Sequence, residues 1–380
     1  MEPYTEYELG SICSRLSSGK GISAKNIADE GKYPVYGGNG LRGYTGTCNF
    51  EGDCAIIGRQ GAFCGNVRYF KGKAYMTEHA VVCCANEEHN TRYLAYLLST
   101  MNLGRLSGQS AQPGLSVKTL AKQIVRMPSL EQQKKVASVL SALDAKIAAN
   151  EKINDNLLEQ MQLLYQNLLD SCACFPIRLE EVSQKIAMGP FGSNIKVSTF
   201  VSEGVPIISG NHLRSVFLEE PSYNYITEEH AQKIKNSMVY PRDIVFTHAG
   251  NIGQVAMIPQ GSDYPYYMIS QRQFYMRCDE TKVIPELVLF FFHSREGKGK
   301  LLANANSTGV PSIAQPSTHL KNIEMPMPNK ADQDEWYKTI KPMVDMYVAL
   351  CQENKRLISL RDSLLPRLMS GELNVSDIQF

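Results

Sequence analysis

Residues 52–61 read GDCAIIGRQG and lead to GNV at residues 65–67. Farther along the chain, residues 242–250 read RDIVFTHAG and lead to GQV at residues 253–255, so the two stretches align with one residue of slippage. Their separation of about 200 residues is long enough for each copy to belong to its own domain. The sequence therefore predicts a protein of two similar halves.

The ends of the two halves repeat in the same order. Residues 115–128 and residues 313–326 both end in Met-Pro. Each segment is followed by an acidic, glutamine-containing helix start, which reads LEQQ at 130–133 and ADQD at 331–334. The repeat thus covers nearly the whole chain.

Short β-branched and aromatic runs alternate with glycine and asparagine turns in each half, which is typical of strands in a compact α/β domain. A buried helix is predicted to begin at Pro285, since proline suits the first helical position, and it matches residues 91–101. The predicted strands are residues 54–57, 79–83, 244–247 and 273–276.

A long helix is predicted after the first half. A plain amphipathic helix on its own domain is the alternative, but a narrow apolar stripe of this length needs a partner along all of it. The spacing is that of coiled-coil a and d positions, and two asparagines in the seam would penalise slipped registers. The seam residues are Val136, Leu140, Leu143, Ile147, Asn150, Asn154, Leu157, Met161, Leu164 and Leu168.

A second helix follows the second half. Pro342 is expected to kink or restart it, Arg361 to interrupt its apolar row and Pro366 to distort its last turn. Intramolecular pairing outcompetes pairing with another molecule, so the two helices are expected to pair with each other. An antiparallel pair about 50 Å long would place the halves at opposite ends. Its seam residues are Ile340, Val344, Tyr347, Cys351, Asn354, Ile358, Leu365 and Leu368.

These patterns predict an α+β protein with a pseudo-twofold internal repeat, in which two similar α/β domains are separated by a long antiparallel two-helix coiled coil. The expected divisions are a first domain over 1–128, a helix over 129–170, a second domain over 171–328, a helix over 329–373 and a tail over 374–380.

The composition is that of an ordinary soluble protein. The 380 residues are 43% hydrophobic and 20% charged, which suffices for two cores. No apolar run could cross a bilayer and the amino terminus has no leader pattern, so we expect a cytoplasmic protein. A net charge of +1 requires that any contact with DNA come from local patches or be shared with a partner.

Catalytic and metal motifs are missing from the sequence. The ten cysteines contain no C-x-x-C pair, so reduced and mostly buried thiols are expected. We find no methyltransferase cofactor loop with an Asn/Asp-Pro-Pro-aromatic segment, no phosphate-binding G-x-x-x-x-G-K-[ST] and no G-x-S-x-G elbow. Residues 296–301, EGKGKL, are expected to form a basic loop. A nuclease or methyltransferase remains the catalytic rival.

Two similar but unequal domains at a fixed distance suit a ligand with its own twofold geometry and regular repeat, and duplex DNA is such a ligand. About 50 Å spans roughly 15 base pairs, more than one helical turn. Because the halves differ in sequence, the hypothesis predicts an asymmetric two-part site with an unread gap. An interaction scaffold with two protein-binding domains is the alternative.

The chain resembles the specificity subunits of Type I restriction-modification systems over nearly its whole length. No single motif is specific, but their order, twice over, is hard to explain otherwise. The resemblance is carried by the doubled stretches at 52–67 and 242–255, GPFGS at 189–193, VPIISGN at 205–211, EQQ at 131–133 and LLPRLMSGEL at 364–373. The first half departs from the pattern, because it offers no clear counterpart of residues 189–193 and has PVYGGNG at 34–40 in place of residues 205–211.

The resemblance implies a non-catalytic subunit whose two target-recognition domains each read one half of a bipartite site in double-stranded DNA. It implies that the helices set the gap and dock two methyltransferase subunits, and through them the restriction and translocase subunits. S-adenosylmethionine, ATP and magnesium would be bound by those partners. No cofactor or metal is expected on this chain.

Candidate DNA contacts follow from residue chemistry. Glycine-rich loops let the backbone approach phosphates, while amide, imidazole and guanidinium groups discriminate base edges. Such residues could instead form plain turns, structural polar contacts or solvated surface. The phosphate candidates are Gly37, Gly38, Gly192 and Gly210 with Lys20, Lys25, Lys196 and Lys300, and the other candidates are Asn39, Arg42, Arg59, Gln60, Ser193, Asn194, Asn211, His212, His248, Gln271 and Arg272.

Overall fold

The computed structural model describes residues 4–107, 114–219, 222–306 and 309–375. The chain divides into two units, one formed by Met1–Ala149 with Glu353–Phe380 and the other by Asn150–Gln352. Two long helices contribute to both units, so each unit holds one mixed domain and part of each long helix.

The first unit contains eight strands among the described residues. They are β1 (Thr5–Glu8), β2 (Cys13–Ser18), β3 (Tyr33–Gly37), β4 (Gly40–Thr45), β5 (Phe50–Gly58), β6 (Val67–Met76), β7 (Ala80–Ala85) and β8 (Ile124–Met127). A six-stranded sheet has the order β2-β7-β5-β6-β3-β4, and β1 pairs separately with β8. Only the pairing of β3 with β6 is parallel within this described sheet.

The α-helices that begin in the first unit are α1 (Thr91–Thr100) and α2 (Val117–Ala121), which lie between β7 and β8, and α3 (Leu130–Ser171), which follows β8. The side chain of Asn90 caps α1 by accepting a hydrogen bond from the backbone N–H of Tyr93 at 2.8 Å. The buried face of α1 carries Leu94 and Leu98, which join the same core cluster as Ile57 of the sheet. The prediction of a helix over residues 91–101 is therefore confirmed.

The described part of the second unit has two four-stranded sheets. Their orders are β10-β17-β14-β15 and β12-β11-β16-β13, and β9 pairs with β20 as β18 does with β19. The strands are β9 (Cys174–Arg178), β10 (Ser183–Met188), β11 (Val205–Ile208), β12 (Asn224–Ile226), β13 (Met238–Val239), β14 (Ile244–Thr247), β15 (Val255–Met257), β16 (Tyr267–Ile269), β17 (Gln273–Cys278), β18 (Ala305–Asn306), β19 (Ser312–Ile313) and β20 (Glu324–Pro328). The predicted strands at 244–247 and 273–276 are confirmed.

The helices of the second unit are α4 (Glu228–Lys233), α5 (Pro285–His293), α6 (Arg295–Leu302), α7 (Pro316–Asn322) and α8 (Lys330–Ser370). The predicted start of a buried helix at Pro285 is confirmed. The expected basic loop at residues 296–301 is wrong, because these residues lie in α6. The hydroxyl of Ser294 caps that helix by accepting from the backbone N–H of Gly297 at 3.1 Å.

The long helices α3 and α8 pack antiparallel within each unit. In the first unit, Asp144 of α3 pairs with Arg361 at 3.1 Å, while the carbonyl of Ile147 accepts from Asn354 at 3.3 Å. In the second unit, the side-chain amide of Asn154 donates to the sulfur of Cys351 at 3.2 Å. The ring centroids of Tyr165 and Trp336 lie 6.5 Å apart in the same unit. Numbers rise along one helix as they fall along the other, so the predicted antiparallel pair is confirmed.

Helix α8 runs unbroken through both of its prolines, so of the two outcomes expected at Pro342, a kink or a restart, the restart is wrong. Pro342 is exposed, and it lies between Ile340 and Val344, which are buried in the core of the second unit. A proline inside a helix costs about 3 kcal/mol, because it removes a backbone hydrogen bond and its ring clashes with the preceding turn. Burial of two such side chains offsets that cost. Pro366 likewise lies inside the helix.

The predicted seam holds for most of its length. Val136, Leu140, Ile147, Met161, Leu168, Ile340, Val344, Tyr347 and Leu368 are buried, as are Asn150 and Asn154, while Leu143, Leu157, Leu164 and Leu365 are half-buried. Tyr165 rather than Leu164 is the fully buried residue near the end of α3.

Ile358 is a wrong seam assignment, because its side chain is 38% exposed. The row of α8 instead continues from Asn354 through Leu357 to Arg361, which are buried or half-buried. Arg361 interrupts the apolar row as predicted, yet it keeps a seam position, because it forms an ion pair with Asp144 on α3.

A buried glutamine repeats at the start of each long helix. The side-chain amide of Gln133 donates to the carbonyl of Pro128 at 2.8 Å, and its oxygen accepts from the backbone N–H of Asn90 at 2.8 Å. Gln333 donates to the carbonyl of Pro328 at 2.9 Å and accepts from the backbone N–H of Ile284 at 3.2 Å. Asn90 and Ile284 cap α1 and α5. The internal repeat predicted from sequence is therefore present in the hydrogen bonds of each unit.

The cysteines are free thiols, but the expectation that most are buried is wrong. Only Cys54, Cys83 and Cys278 are buried, and burial raises the pKa of Cys54 to about 12. Cys48 and Cys351 are exposed, although the sulfur of the predicted seam residue Cys351 accepts a hydrogen bond from Asn154 of α3. Within the described ranges, no helix is long and apolar enough to cross a membrane.

Replacing either buried glutamine should destabilise its own unit by about 1–3 kcal/mol, because a buried donor and acceptor lose their partners. Urea unfolding of Gln333→Ala is followed by fluorescence of Trp336, the single tryptophan, which lies in the second unit. Unfolding of Gln133→Ala is followed by far-UV circular dichroism. The control is Gln132→Ala on the half-buried side of α3, and a loss of stability as large in this control would contradict the interpretation.

Candidate nucleic-acid interface

In the first unit, several candidate residues meet where β5 ends. Arg59 follows the last residue of β5, and its backbone N–H donates to the carbonyl of His79 at 3.0 Å. Its own carbonyl accepts from Leu115 at 2.8 Å. The side-chain oxygen of Gln60 lies 2.9 Å from Nδ1 of His79. Backbone bonds therefore fix Arg59, while its side chain extends from a rigid strand end.

The glycine turn between β3 and β4 lies against the same strand end. A Cβ atom on Gly38 would lie 2.8 Å from the carbonyl oxygen of His79 and 3.3 Å from the backbone nitrogen of Arg59. Only glycine permits this approach. Asn39 and Arg42 are exposed beside it, and Cδ of Arg42 packs over the buried Gly37.

Lys20 and Arg68 add positive charge to this cluster. The backbone N–H of Lys20 donates to the carbonyl of Met76 at 2.9 Å, which places Lys20 at the end of β6 with its side chain exposed. The guanidinium of Arg68 lies 3.2 Å from the position of a Cβ on Gly40. Sequence reasoning missed Arg68 and His79, although each lies in or beside a strand that ends at the glycine turn. Lys25 is exposed on a short 3-10 helix, and no contact among the described residues brings it to the cluster.

In the second unit, His248 occupies the position that follows β14. Its backbone N–H donates to the carbonyl of Arg272 at 2.9 Å, and its carbonyl accepts from Ile313 at 2.8 Å. The ring Nε2 lies 3.1 Å from the carbonyl oxygen of Gln271. His248 and Arg272 thus repeat the backbone bonds of Arg59 and His79, with different side chains.

A loop that follows β10 lies over this strand end. The side-chain amide of Gln271 donates to the carbonyl of Gly192 and, at 3.1 Å, to that of Ile195. Gly192 has a φ of 60°, which favours glycine. Asn194 and Lys196 are exposed on the same loop, while the side chain of Ser193 lies outside what the structure describes.

Gly210 and Asn211 lie near the same strand. A Cβ on Gly210 would lie 3.0 Å from Oε1 of Gln254 and 3.9 Å from Oγ1 of Thr247, at the end of β14. Asn211 is exposed, and its side-chain oxygen accepts from Arg214 at 3.2 Å. The structure therefore brings both residues to the cluster around His248.

Two candidates have structural surroundings instead. His212 is 4% exposed, stacks on Tyr223 and uses both ring nitrogens for contacts with Ser209 and Ser222, so it supports the fold of the domain. Lys300 pairs with Glu296 at 2.7 Å and donates to the carbonyl of Glu324 at 2.8 Å. Both contacts reduce the availability of Lys300 for a phosphate.

The first unit does have a counterpart of the loop at 189–193, contrary to expectation. Gly19 follows β2 and donates to the first residue of β7, Ala80, at 3.0 Å, whereas Gly189 follows β10 and donates to the first residue of β17, Gln273, at 2.8 Å. A Cβ on either glycine would lie 2.1 Å from a carbonyl oxygen. The counterpart escaped detection because its sequence, GKGIS, shares only its first and last residues with GPFGS.

A protein of Mycoplasma pneumoniae whose name places it among the type I specificity subunits is 31% identical to this chain over 357 residues. The alignment covers 89% of this chain and 88% of that protein. The chain belongs to the type I specificity subunits. A family model described as the Type I restriction modification DNA specificity domain matches residues 1–159 of this specificity subunit.

Two further comparisons place the specificity subunit among its relatives. The Type I restriction enzyme EcoprrI specificity subunit of Escherichia coli is 41% identical over 140 residues, which cover 36% of this chain and only 35% of that protein. The crystal structure of an S subunit from M. genitalium covers 97% of this chain and 96% of its own, with a TM-score of 0.65 at 15% identity. The structural likeness concerns the fold.

Alanine at Gly19 or Gly189 should displace its loop, because the added Cβ meets a backbone oxygen that cannot move away. Overpacking of this kind costs about 1–3 kcal/mol, and thermal unfolding of each variant measures it. Gly46→Ala is the matched control, since a Cβ there meets nothing within 4 Å. Equal melting temperatures for all three variants would contradict the close approach.

Proposed function

We propose that this specificity subunit reads double-stranded DNA, with each unit recognising one half of an asymmetric bipartite site. The observation that carries the proposal is the pair of strand-end clusters, which share a backbone framework but carry different side chains. Arg59 and His248 occupy equivalent positions, as do His79 and Arg272. A common framework with unequal side chains suits two different half-sites.

The chemistry of the clusters supports a division of labour between phosphates and bases. The close backbone turn at Gly38 and the left-handed, exposed Gly192, with the exposed Lys20 and Lys196, suit contacts to the phosphate backbone. Guanidinium, amide and imidazole groups have the donors and acceptors that discriminate base edges in the major groove. Positive charge gathers locally at Lys20, Arg42, Arg59 and Arg68, although the whole chain carries only +1.

The paired long helices would set the unread gap and dock two methyltransferase subunits, through which the restriction and translocase subunits join the complex. We further propose that the chain has no catalytic site. S-adenosylmethionine, ATP and magnesium would then be bound by the partner subunits. Among the described residues, no group of three or more His, Cys, Asp or Glu side chains could hold a metal ion.

The proposal is tested by mapping methylated adenines genome-wide in cells with and without the gene. Loss of one asymmetric bipartite motif is the expected result. Arg59→Ala should relax only one half of that motif, and His248→Ala only the other, since a base contact contributes about 1–3 kcal/mol of discrimination. Lys25→Ala, which lies outside the cluster, serves as the control and should leave both halves intact.

Binding measurements separate this function from its rivals. The complex that the chain forms with its methyltransferase partner should bind DNA with an affinity that falls steeply as salt rises, because phosphate contacts release counterions. A two-headed protein scaffold would show neither this dependence nor a lost methylation motif. Cleavage or methylation of DNA by the isolated chain with added cofactor would contradict the non-catalytic role.

Insertion of one heptad into both long helices tests their role in setting the gap. Seven residues lengthen a helix by about 10 Å, which corresponds to roughly three base pairs. The expected motif keeps both half-sites and has a longer gap, as read from the methylation map. Changed half-site bases would count against this role, and seven residues placed after residue 375 provide the control.

A further inference from the structure

The loop after β10 exposes an aromatic side chain beside the strand-end cluster around His248. Phe191 is 76% exposed, although it lies between the buried Pro190 and the left-handed Gly192. A single exposed apolar residue is common on protein surfaces and needs no explanation by itself. The surroundings of Phe191 are what make it informative.

The loop that carries Phe191 is held on both sides. The backbone N–H of Gly189 donates to Gln273 at 2.8 Å, and a Cβ on Gly189 would lie 2.1 Å from the carbonyl oxygen of Ser270. On the other side, the amide of Gln271 donates to the carbonyls of Gly192 and Ile195. The backbone that carries the exposed ring is therefore held in place, which lowers the entropic cost of ordering this loop on binding.

The residues that hold this loop belong to the same strand-end cluster. The carbonyl oxygen of Gln271 lies 3.1 Å from Nε2 of His248. Arg272, the next residue after Gln271, is exposed. These side chains can form hydrogen bonds with base edges, but none of them can sense a methyl group. Phe191 supplies an apolar surface at the same strand end.

We propose that Phe191 contacts the 5-methyl group of a thymine in the half-site read by the second unit, so that it is a specificity-determining residue. The inference rests on the proposed function. Thymine alone among the four bases presents a methyl group in the major groove, and phenylalanine is one of the side chains that recognise it. The polar neighbours of Phe191 favour a base edge in that groove over insertion between bases, which uses apolar wedges in the minor groove.

The first unit lacks this contact. Gly19 is the structural counterpart of Gly189, so Gly21 lies at the position that corresponds to Phe191. Glycine has no side chain with which to read a methyl group. Only one of the two half-sites should therefore depend on a thymine methyl through this loop.

The test uses the full chain in complex with its methyltransferase subunits and duplexes that carry the mapped motif. Each thymine of the second half-site is replaced in turn by deoxyuridine, which lacks only the methyl group. One position should lose about three- to tenfold in affinity, the amount expected for one buried methyl group and its immediate contacts. Phe191→Ala should lose a similar factor on the thymine duplex and no longer distinguish uracil from thymine there.

Two matched variants complete the design. Phe191→Leu keeps an apolar contact and should retain part of the preference for thymine. Phe175→Ala removes a ring that is 68% exposed on β9, outside the cluster, and should leave affinity and preference unchanged.

The outcomes are separable. The proposal is overturned if the wild-type complex binds every uracil-substituted duplex as tightly as the thymine duplex. It is also overturned if Phe191→Ala keeps full affinity for the thymine duplex, or if it loses the same affinity on every duplex, whether or not that duplex carries the motif. Wild-type complex without preference for the mapped motif would instead overturn the proposed function itself.

Discussion

A buried glutamine amide at the start of each long helix fixes the geometry of its unit. Gln133 and Gln333 each join the end of a short strand to the N-cap residue of the helix that covers the sheet. Loss of either partner would leave a polar group of this buried amide without a hydrogen bond, which costs the full desolvation penalty of that group. The strand pair, the covering helix and the long helix therefore hold one relative orientation inside each unit. The two strand-end clusters share that orientation, since their strands belong to the sheets that these helices cover.

The second unit adds a charged connection that the first lacks at the same place. Arg242, with a φ of 74°, pairs with the buried Glu286 of α5 at 3.0 Å and donates to the hydroxyl of Tyr337 of α8 at 2.7 Å. Burial raises the pKa of Glu286, and the nearby guanidinium of Arg242 opposes that rise. The corresponding stretch of the first unit begins with Gly52, which offers no side chain for such a bond. The two units therefore share topology while differing in what stabilises it.

Much of this architecture could be predicted from sequence, because periodicity and internal repetition report directly on burial. The long helices, the start of α5 at Pro285 and the strand at residues 244–247 follow from such patterns. Side-chain surroundings could not be predicted in the same way. His212 has the chemistry of a base-reading residue, yet its stacking on Tyr223 depends on a fold that brings residues 209, 212 and 222 together.

Register near the end of the helix pair shows the same limit of sequence patterns. Leu357 and Ile358 both suit the spacing after Asn354, and only the position of Asp144 on the other helix decides in favour of the row that contains Arg361. The counterpart of residues 189–193 was hidden for a related reason. Its equivalence lies in backbone hydrogen bonds of Gly19 and Gly189, which leave little trace in residue type.

Main-chain hydrogen bonds hold the backbone of the residues at the two strand ends. Arg59 and His248 each donate and accept through the peptide backbone, and these backbone bonds are the same whichever side chain is present. Mutation at these positions can therefore explore new chemistry without endangering folding. A lineage that carries this scaffold can therefore vary the side chains that it presents at the two strand ends while the backbone framework of each unit stays the same.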